Sequence, residues 1–278
     1  MNILYVSDLD GTLLNKKKEV TETTKKILNA CIEEGMNFSV ATARMPYGCD
    51  YKLDGIALNT PGIVTNGVFL YDFSSQKYIH VEYIPEKAAG EVINLIREAG
   101  TTCFVYTFKD EKINVYYEDK KLQEQTQYYS ARALECCGKV ECVESLDDID
   151  KSEGTVYLAL TGEDEQLKPL LEKLDKVQGI HYAYYLNIYN GLYCLEIFGE
   201  NASKQNALKL LKKMGGYDEI VVFGDNLNDL SMIEIADRSY APGNALEDIK
   251  KKVTAVLDDC DHNGVALFLE KEILFKRE

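Results

Sequence analysis

Near its start the chain passes through four apolar residues, 3–6 (ILYV), and then into Ser7-Asp8-Leu9-Asp10-Gly11-Thr12. A run this short and apolar, closed by acids and a glycine, reads as a strand buried on both faces whose carboxyl end opens into a loop. Far downstream the pattern returns, with Val221-Val222-Phe223 leading into Gly224-Asp225-Asn226-Leu227-Asn228-Asp229. Strands buried on both faces belong to parallel sheets flanked by helices, so these two segments point to an α/β, doubly wound core.

The intervening sequence supports that reading and interrupts it. A helical pattern over residues 21–34, closed by Gly35, leads to a strand over 37–41, which gives the strand, helix, strand opening of a doubly wound sheet. Short strands are expected at 63–65 and 68–71, joined by the tight-turn dipeptide Asn66-Gly67. From about residue 85 the order changes to helix 86–99, strands 102–108 and 113–117, helix 122–136, strand 155–161, helix 165–177 and strands 181–186 and 192–198. Helices mixed with hairpins describe a separate α+β unit. Alternation then resumes, with helix 203–214, strand 219–223, helix 228–236, a strand near Ser239, helix 246–252 and strand 254–257. The expected architecture is a mainly parallel, Rossmann-like core of residues 1–83 and 198–278 carrying an inserted α+β domain at 84–197. The acidic stretch 141–153 reads as a solvated connection.

The length of 278 residues accommodates two such units. With 31 basic against 46 acidic residues, the formal charge is −15, a field that repels polyanions and argues against nucleic-acid or anionic-membrane partners. A small anionic substrate is compatible with it if local cations or a metal ion neutralise the charge. No apolar stretch approaches the ~20 residues of a membrane helix, and the opening MNILYVSDLDG has neither a basic n-region nor a cleavage site. A cytoplasmic location is therefore expected. The eight cysteines, Cys31, Cys49, Cys103, Cys136, Cys137, Cys142, Cys194 and Cys260, lack paired C-x-x-C spacing and read as reduced structural thiols.

The chemistry concentrates at the strand ends. Residues i and i+2 of an extended chain point the same way, so Asp8 and Asp10 can converge, and Gly11 lets the chain turn away without obstructing them. A calcium loop with Glu19 at its twelfth position is disfavoured, because Leu13 stands where that loop needs glycine. Ligands of parallel sheets bind at the carboxyl ends of strands, so Asp225 and Asp229 can face the same crevice as Asp8 and Asp10. Four carboxylates there ask for a hard divalent cation, and Mg²⁺ suits oxygen ligands and a substrate phosphate. At the end of the second strand Thr42 offers a hydroxyl and a free backbone amide, and Arg44 offers a forked cation. Lys204 joins an ammonium to a helix N-terminus, both favourable to an anion.

Taken together, SDLDGTLL, ATAR, TNGVFLYD, ASK and GDNLNDLSMI, in this order, closely resemble the motifs of the haloacid dehalogenase superfamily of phosphohydrolases, in particular its Cof-type branch with a type IIB cap. The resemblance covers essentially the whole chain. Where that family usually has glycine after its lysine, Lys204 precedes Gln205.

The resemblance implies a Mg²⁺-dependent phosphatase acting on a small phosphate monoester, such as a sugar phosphate or a phosphorylated cofactor. It implies that Asp8 attacks phosphorus to form a phosphoaspartyl enzyme, and that Asp10 acts as acid and then base. Mg²⁺ would be held by Asp8, Asp10 and Asp225, with Asp229 a further candidate that could instead orient Lys204. Thr42 and Lys204 would cradle the phosphoryl group, with Arg44 and Asn228 contacting substrate. The inserted domain would close over the cleft and choose the leaving group, and eleven of the nineteen tyrosines fall within it, among them Tyr182, Tyr184, Tyr185 and Tyr189. A phosphomutase of the same superfamily and a non-catalytic phosphate-binding regulatory module are the competing readings. A monomer or homodimer is the expected state.

Overall fold

The computed structural model describes residues 1–119, 122, 135–187 and 191–275. Within it the chain divides into two compact units, one of Met1–His80 and Ser203–Glu278, the other of Val81–Ala202.

The first unit opens with β1 (Ile3–Ser7), α1 (Glu22–Glu33) and β2 (Asn37–Val40). Helix α1 begins where the Thr21 hydroxyl accepts from the Thr24 amide, and it buries Thr24, Ile27, Leu28 and Cys31, one face of a helix by spacing. It ends in a Schellman motif: Gly35, at φ 95°, donates to Ile32 O at 2.9 Å, and Met36 donates to Cys31 O at 3.0 Å. A second, small sheet follows, β3 (Gly62–Val64), β4 (Phe69–Asp72) and β5 (Lys77–Val81), in that spatial order. β3 and β4 form the expected hairpin. Its connection is longer than the two-residue turn foreseen, because the amides of Thr65 and Asn66 are drawn off to carbonyls of Arg44 and Thr42.

The second unit is built from α2 (Glu86–Glu98), β6 (Phe104–Lys109), β7 (Lys112–Tyr117), β8 (Val140–Cys142), β9 (Gly154–Gly162), α3 (Asp164–Leu174), β10 (Ile180–Leu186) and β11 (Tyr193–Gly199). Its six-stranded sheet runs β10-β11-β9-β6-β7-β8. All pairs are antiparallel except β7 with β8. Alternate residues Val105, Leu158, Leu160, Leu195 and Ile197 pack with Val92 and Ile96 of α2 and Leu167, Leu170 and Leu174 of α3. Each such fully buried side chain contributes about 1.5–3 kcal/mol.

The acidic stretch of this unit is not simply a solvated connection. It contains β8, and it ends at Glu153, which is 8% exposed. Glu153 accepts from the hydroxyls of Thr107 at 2.5 Å and Tyr116 at 2.9 Å and from the Asn114 amide at 2.9 Å. Tyr182 and Tyr184 donate to Asp175 and Asp164 at 2.7 and 2.6 Å, and Tyr185 is 46% exposed. Most of the helix expected at 122–136, and Tyr189, lie outside the described residues.

The first unit is completed by α4 (Lys204–Gly215), β12 (Glu219–Phe223), β13 (Arg238–Ala241), β14 (Ala255–Val256) and α5 (Gly264–Leu269). In place of the helix expected over 228–236 stand a 3₁₀ turn, Leu227–Asp229, and one helical turn, Leu230–Ile233. The main sheet is parallel throughout, ordered β14-β13-β12-β1-β2. On one face Leu4, Val6, Ile220 and Val222 pack with Ala207, Leu208 and Leu211 of α4. On the other, Phe223 meets Phe268 of α5 edge to face, and α5 packs on α1. Covering both faces explains why β1 and β12 are unbroken apolar runs. No helix among the described residues is long and apolar enough to cross a membrane.

Candidate active site

β1 lies between β2 and β12. The chain leaves β1 toward β2 through α1 and returns much later on the other side as β12, so a topological switch point opens between the carboxyl ends of β1 and β12. Asp8 follows β1 directly, its amide extending the ladder to Phe223 O at 2.9 Å. Asp225 lies two residues beyond β12.

Glycines make the approach of these segments possible. Gly11 has φ 84°, and a Cβ there would stand 2.5 Å from Asp225 Oδ2. Thr12 Oγ1 donates to Asp225 Oδ1 at 2.9 Å. The turn after β12 is held by Asp229, whose Oδ2 accepts the amides of Asp225 at 2.9 Å and Asn226 at 3.1 Å.

Lys204 opens α4, with Ser203 as its cap. Its Nζ donates to Asp8 Oδ1 and Asp229 Oδ1, both at 2.7 Å, and its side chain is 1% exposed. Burial alone would lower the Lys204 pKa, but Asp229 and Asp8 outweigh it and raise it. Burial and the nearby Asp229 push the Asp8 carboxyl well up, opposed by Lys204. The same two causes bring Asp225 up to about 6.

Ligand oxygens of Asp8, Asp225 and Asp229 lie within 4.8 Å of one another. Three carboxylates against one ammonium leave a net deficit that one divalent cation would balance, and an all-oxygen donor set suits a hard ion such as Mg²⁺. Both Asp229 oxygens are already occupied by Lys204 and two amides. The second oxygens of Asp8 and Asp225 accept no hydrogen bond from the described residues, which makes these two the better-placed ligands.

The Asp10 carboxylate is directed elsewhere. Arg44 grips it through Nε at 2.6 Å and Nη2 at 2.8 Å, and Lys18 Nζ stands at 2.9 Å. Burial would raise this carboxyl, but the hydrogen bonds from Arg44 and Lys18 outweigh it and hold it at about 2. Its charge still contributes to raising Asp225. The Thr42 amide, read from sequence as free, donates to Ile63 O at 2.8 Å, because β3 joins the edge of β2 there. The buried Thr42 hydroxyl accepts from the Arg44 amide at 3.1 Å. Asn228 is exposed on the turn between Asp225 and Asp229.

The structure thus joins Asp8, Lys204, Asp225 and Asp229 in one cluster and sets Asp10 with Arg44 beside it. Sequence reading missed Lys18, Thr12 and Asn244. Asn244 donates to Gly11 O at 2.7 Å and accepts from the Cys260 amide at 2.9 Å, tying the first loop to the C-terminal segment. Thr12 carried a signal in its place after D-x-D-G; nothing in the spacing of Asn244 links it to Gly11.

These acids, the buried lysine and the threonine stand at the carboxyl end of a parallel α/β sheet, where enzymes of this architecture bind their ligands. Residues 5–269 match the haloacid dehalogenase-like hydrolases, and the chain belongs to that family. It is similar to the pyridoxal phosphate phosphatase of Escherichia coli, 25% identical over 277 residues, with 96% of this chain and 97% of the relative covered. It is similar also to the 5-amino-6-(5-phospho-D-ribitylamino)uracil phosphatase of Bacillus subtilis, 25% identical over 282 residues, covering 95% and 96%. Among solved structures, one from Thermotoga maritima superposes with a TM-score of 0.76 at 26% identity, covering 98% of this chain and 97% of the other. Phosphoric monoester hydrolysis is the activity that this membership and the site support.

Proposed function

We propose that this protein is a Mg²⁺-dependent phosphatase that hydrolyses a small phosphate monoester through a phosphoaspartyl intermediate on Asp8. The observation that carries the reading is the buried Asp8–Lys204–Asp229 ion chain beside Asp225 at the switch point. Lys204 holds the Asp8 carboxylate in one orientation and opposes the burial and the Asp229 charge that favour its protonation, and a bound divalent cation would add to that opposition, as a nucleophile requires. Asp229 in turn orients Lys204. Bound by Asp8 and Asp225, with Asp10 contributing, Mg²⁺ would neutralise phosphate charge and align the ester.

An oxygen of Asp8 bonds to phosphorus as the bond to the alcohol breaks, and Asp10 supplies the proton that the leaving oxygen takes. Water then attacks the phosphoaspartate, Asp10 receives its proton, and orthophosphate leaves with Asp8 restored. Asp10 can take up a proton only when Arg44 loosens its grip, and a phosphate dianion competes for that guanidinium. Arg44 thereby links substrate arrival to release of the acid/base. The Thr42 hydroxyl, Lys204 and Asn228 complete the phosphoryl cradle, where positioning and electrostatics supply most of the acceleration.

The inserted α+β unit serves as the cap that selects the leaving group. Relatives named for a phosphorylated pyridine cofactor and a phosphoribityl pyrimidine favour a phosphorylated cofactor or metabolite over a macromolecular ester, and the acidic charge agrees. A panel of phosphate monoesters assayed with Mg²⁺, after chelation, and with Asp8→Asn and Asp10→Asn tests the proposal. Metal-dependent release of orthophosphate that Asp8→Asn abolishes supports it. Transfer of phosphate within a sugar would identify a mutase, and phosphate binding without turnover would identify a regulatory module.

A further inference from the structure

Three successive residues between β3 and β4 have positive φ: Thr65 at 52°, Asn66 at 53° and Gly67 at 97°. Glycine and asparagine tolerate this region, whereas a β-branched threonine rarely enters it. Strained backbone of this kind persists where surrounding contacts over-determine it, and it gathers at functional sites. Here Thr65 N donates to Arg44 O at 2.9 Å and Asn66 N donates to Thr42 O at 3.0 Å. Thr65 Oγ1 reaches Met45 Sδ at 3.2 Å. On the far side the Gly67 backbone lies so close to the cap of α4 that an added Cβ would stand 2.3 Å from Ser203 O. Asn66 is therefore clamped between the loop of Thr42 and Arg44 and the residue preceding Lys204, the groups assigned above to grip phosphate.

The Asn66 side chain is left over in this arrangement. Its Oδ1 is buried with no hydrogen-bond partner, and its carboxamide makes no hydrogen bond among the described residues. A buried, unpaired polar atom is costly and rare in a folded protein. Nδ2, by contrast, is not sealed from solvent, and with no hydrogen bond among the described residues it presents two free donors. An anion held between Thr42 and Lys204 is the partner such donors would satisfy.

We propose that Asn66 is a further catalytic residue of the phosphoryl cradle, donating from Nδ2 to a phosphoryl oxygen, with its reach set by the left-handed turn. The inference rests on the phosphatase reading above and adds a contact to it. The test compares Asn66→Gly, Asn66→Ala and Asn66→Asp by hydrolysis of para-nitrophenyl phosphate with Mg²⁺ and by calorimetric binding of inorganic phosphate. Glycine keeps the positive φ and removes only the carboxamide. Asn66→Gly should weaken phosphate binding and lower kcat/KM by about 10–100-fold, the factor of one hydrogen bond to a charged group, while its Tm stays within a few degrees of the parent. Asn66→Asp, which keeps the shape and adds a negative charge, should weaken both further.

Parent-like phosphate binding by Asn66→Gly overturns the proposal, as does parent-like binding by Asn66→Asp. Loss confined to Asn66→Ala, with a lowered Tm, makes the residue a backbone element only and overturns it also. If the parent binds phosphate but turns over no ester, the phosphatase reading fails while the binding comparison still decides the Asn66 contact. If the parent binds no phosphate, both fail.

Discussion

Lys204 is the most exacting test of the site, because its side chain is 1% exposed and both its contacts are carboxylates at 2.7 Å. Lys204→Met keeps the length and most of the volume and removes only the ammonium, which leaves Asp8 and Asp229 facing each other with no cation. Removing one partner of a buried ion pair costs about 3–5 kcal/mol, since the remaining charge is stranded away from water. For a unit of 150–250 residues each kcal/mol moves Tm by roughly 2–4 °C, so Lys204→Met should unfold about 6–20 °C below the parent. Differential scanning calorimetry at pH 7 to 8 with EDTA present reads this without any contribution from bound metal. The folded-state pKa of Lys204 is raised, so its contribution is complete at any pH below the unfolded value of about 10.4 and is lost only as pH rises through the folded value. The assay range lies well inside that window. Lowering the pH should narrow the gap, because the stranded Asp8 carboxylate, whose pKa burial raises, then takes up a proton. A Tm within 2 °C of the parent would mean that the ammonium does not hold the two acids together, and the proposed orientation of Asp8 would fall with it.

Four further outcomes are expected. Asp8→Asn should lose phosphatase activity and retain its fold, checked by phosphate release and circular dichroism; retention of most activity would remove Asp8 as nucleophile. Mg²⁺ should raise the parent Tm, by about 2.7 kcal/mol of stabilisation at a hundred times its Kd, and Asp225→Asn should abolish that rise. Gly11→Ala should fold poorly or lose Mg²⁺ stabilisation, because the new Cβ would lie 2.5 Å from Asp225 Oδ2 at a φ of 84°; an unchanged metal response would show that the loop can yield. Glu153→Gln should cost about 1.5–3 kcal/mol at neutral pH, the scale of hydrogen bonds to a charged group. The hydrogen bonds from Thr107, Asn114 and Tyr116, together with Lys139, overcome burial and lower the Glu153 pKa. Its stabilisation is therefore present above the unfolded glutamate value and lost as pH falls through the lowered folded one, so parent and variant should converge in urea titrations only once the pH is below the ordinary glutamate range.

The sheet was legible because burial on both faces leaves an unmistakable apolar run, and β1 and β12 both end in acids where such a sheet binds ligands. The order of the elements followed from their periodicity. Partner choice did not. Spacing could not show that Arg44 and Lys18 would claim Asp10, or that β3 would consume the Thr42 amide, since each depends on segments meeting in space. Glu153 was misread for the same reason: within an acidic stretch nothing marks the one carboxylate that folds inward onto Thr107, Asn114 and Tyr116. The helix expected over 228–236 is replaced by a 3₁₀ turn and one helical turn, where the Asp229 carboxylate turns back to accept the Asp225 and Asn226 amides.

The order of β1 and β12 in the sheet also shapes how the chain is made. β1 emerges among the first residues synthesised, yet the strand it pairs with on one side begins at Glu219. At 5–20 residues per second, that edge waits roughly 10–40 s on the ribosome for its neighbour. During that interval a flat apolar strand carries unpaired amides and carbonyls, the feature that invites pairing with other chains. The second unit, contiguous from Val81 to Ala202, can fold meanwhile, so the nascent protein carries a finished module on an unfinished base. Closing β1 against β12 is therefore a late step that joins residues more than two hundred positions apart.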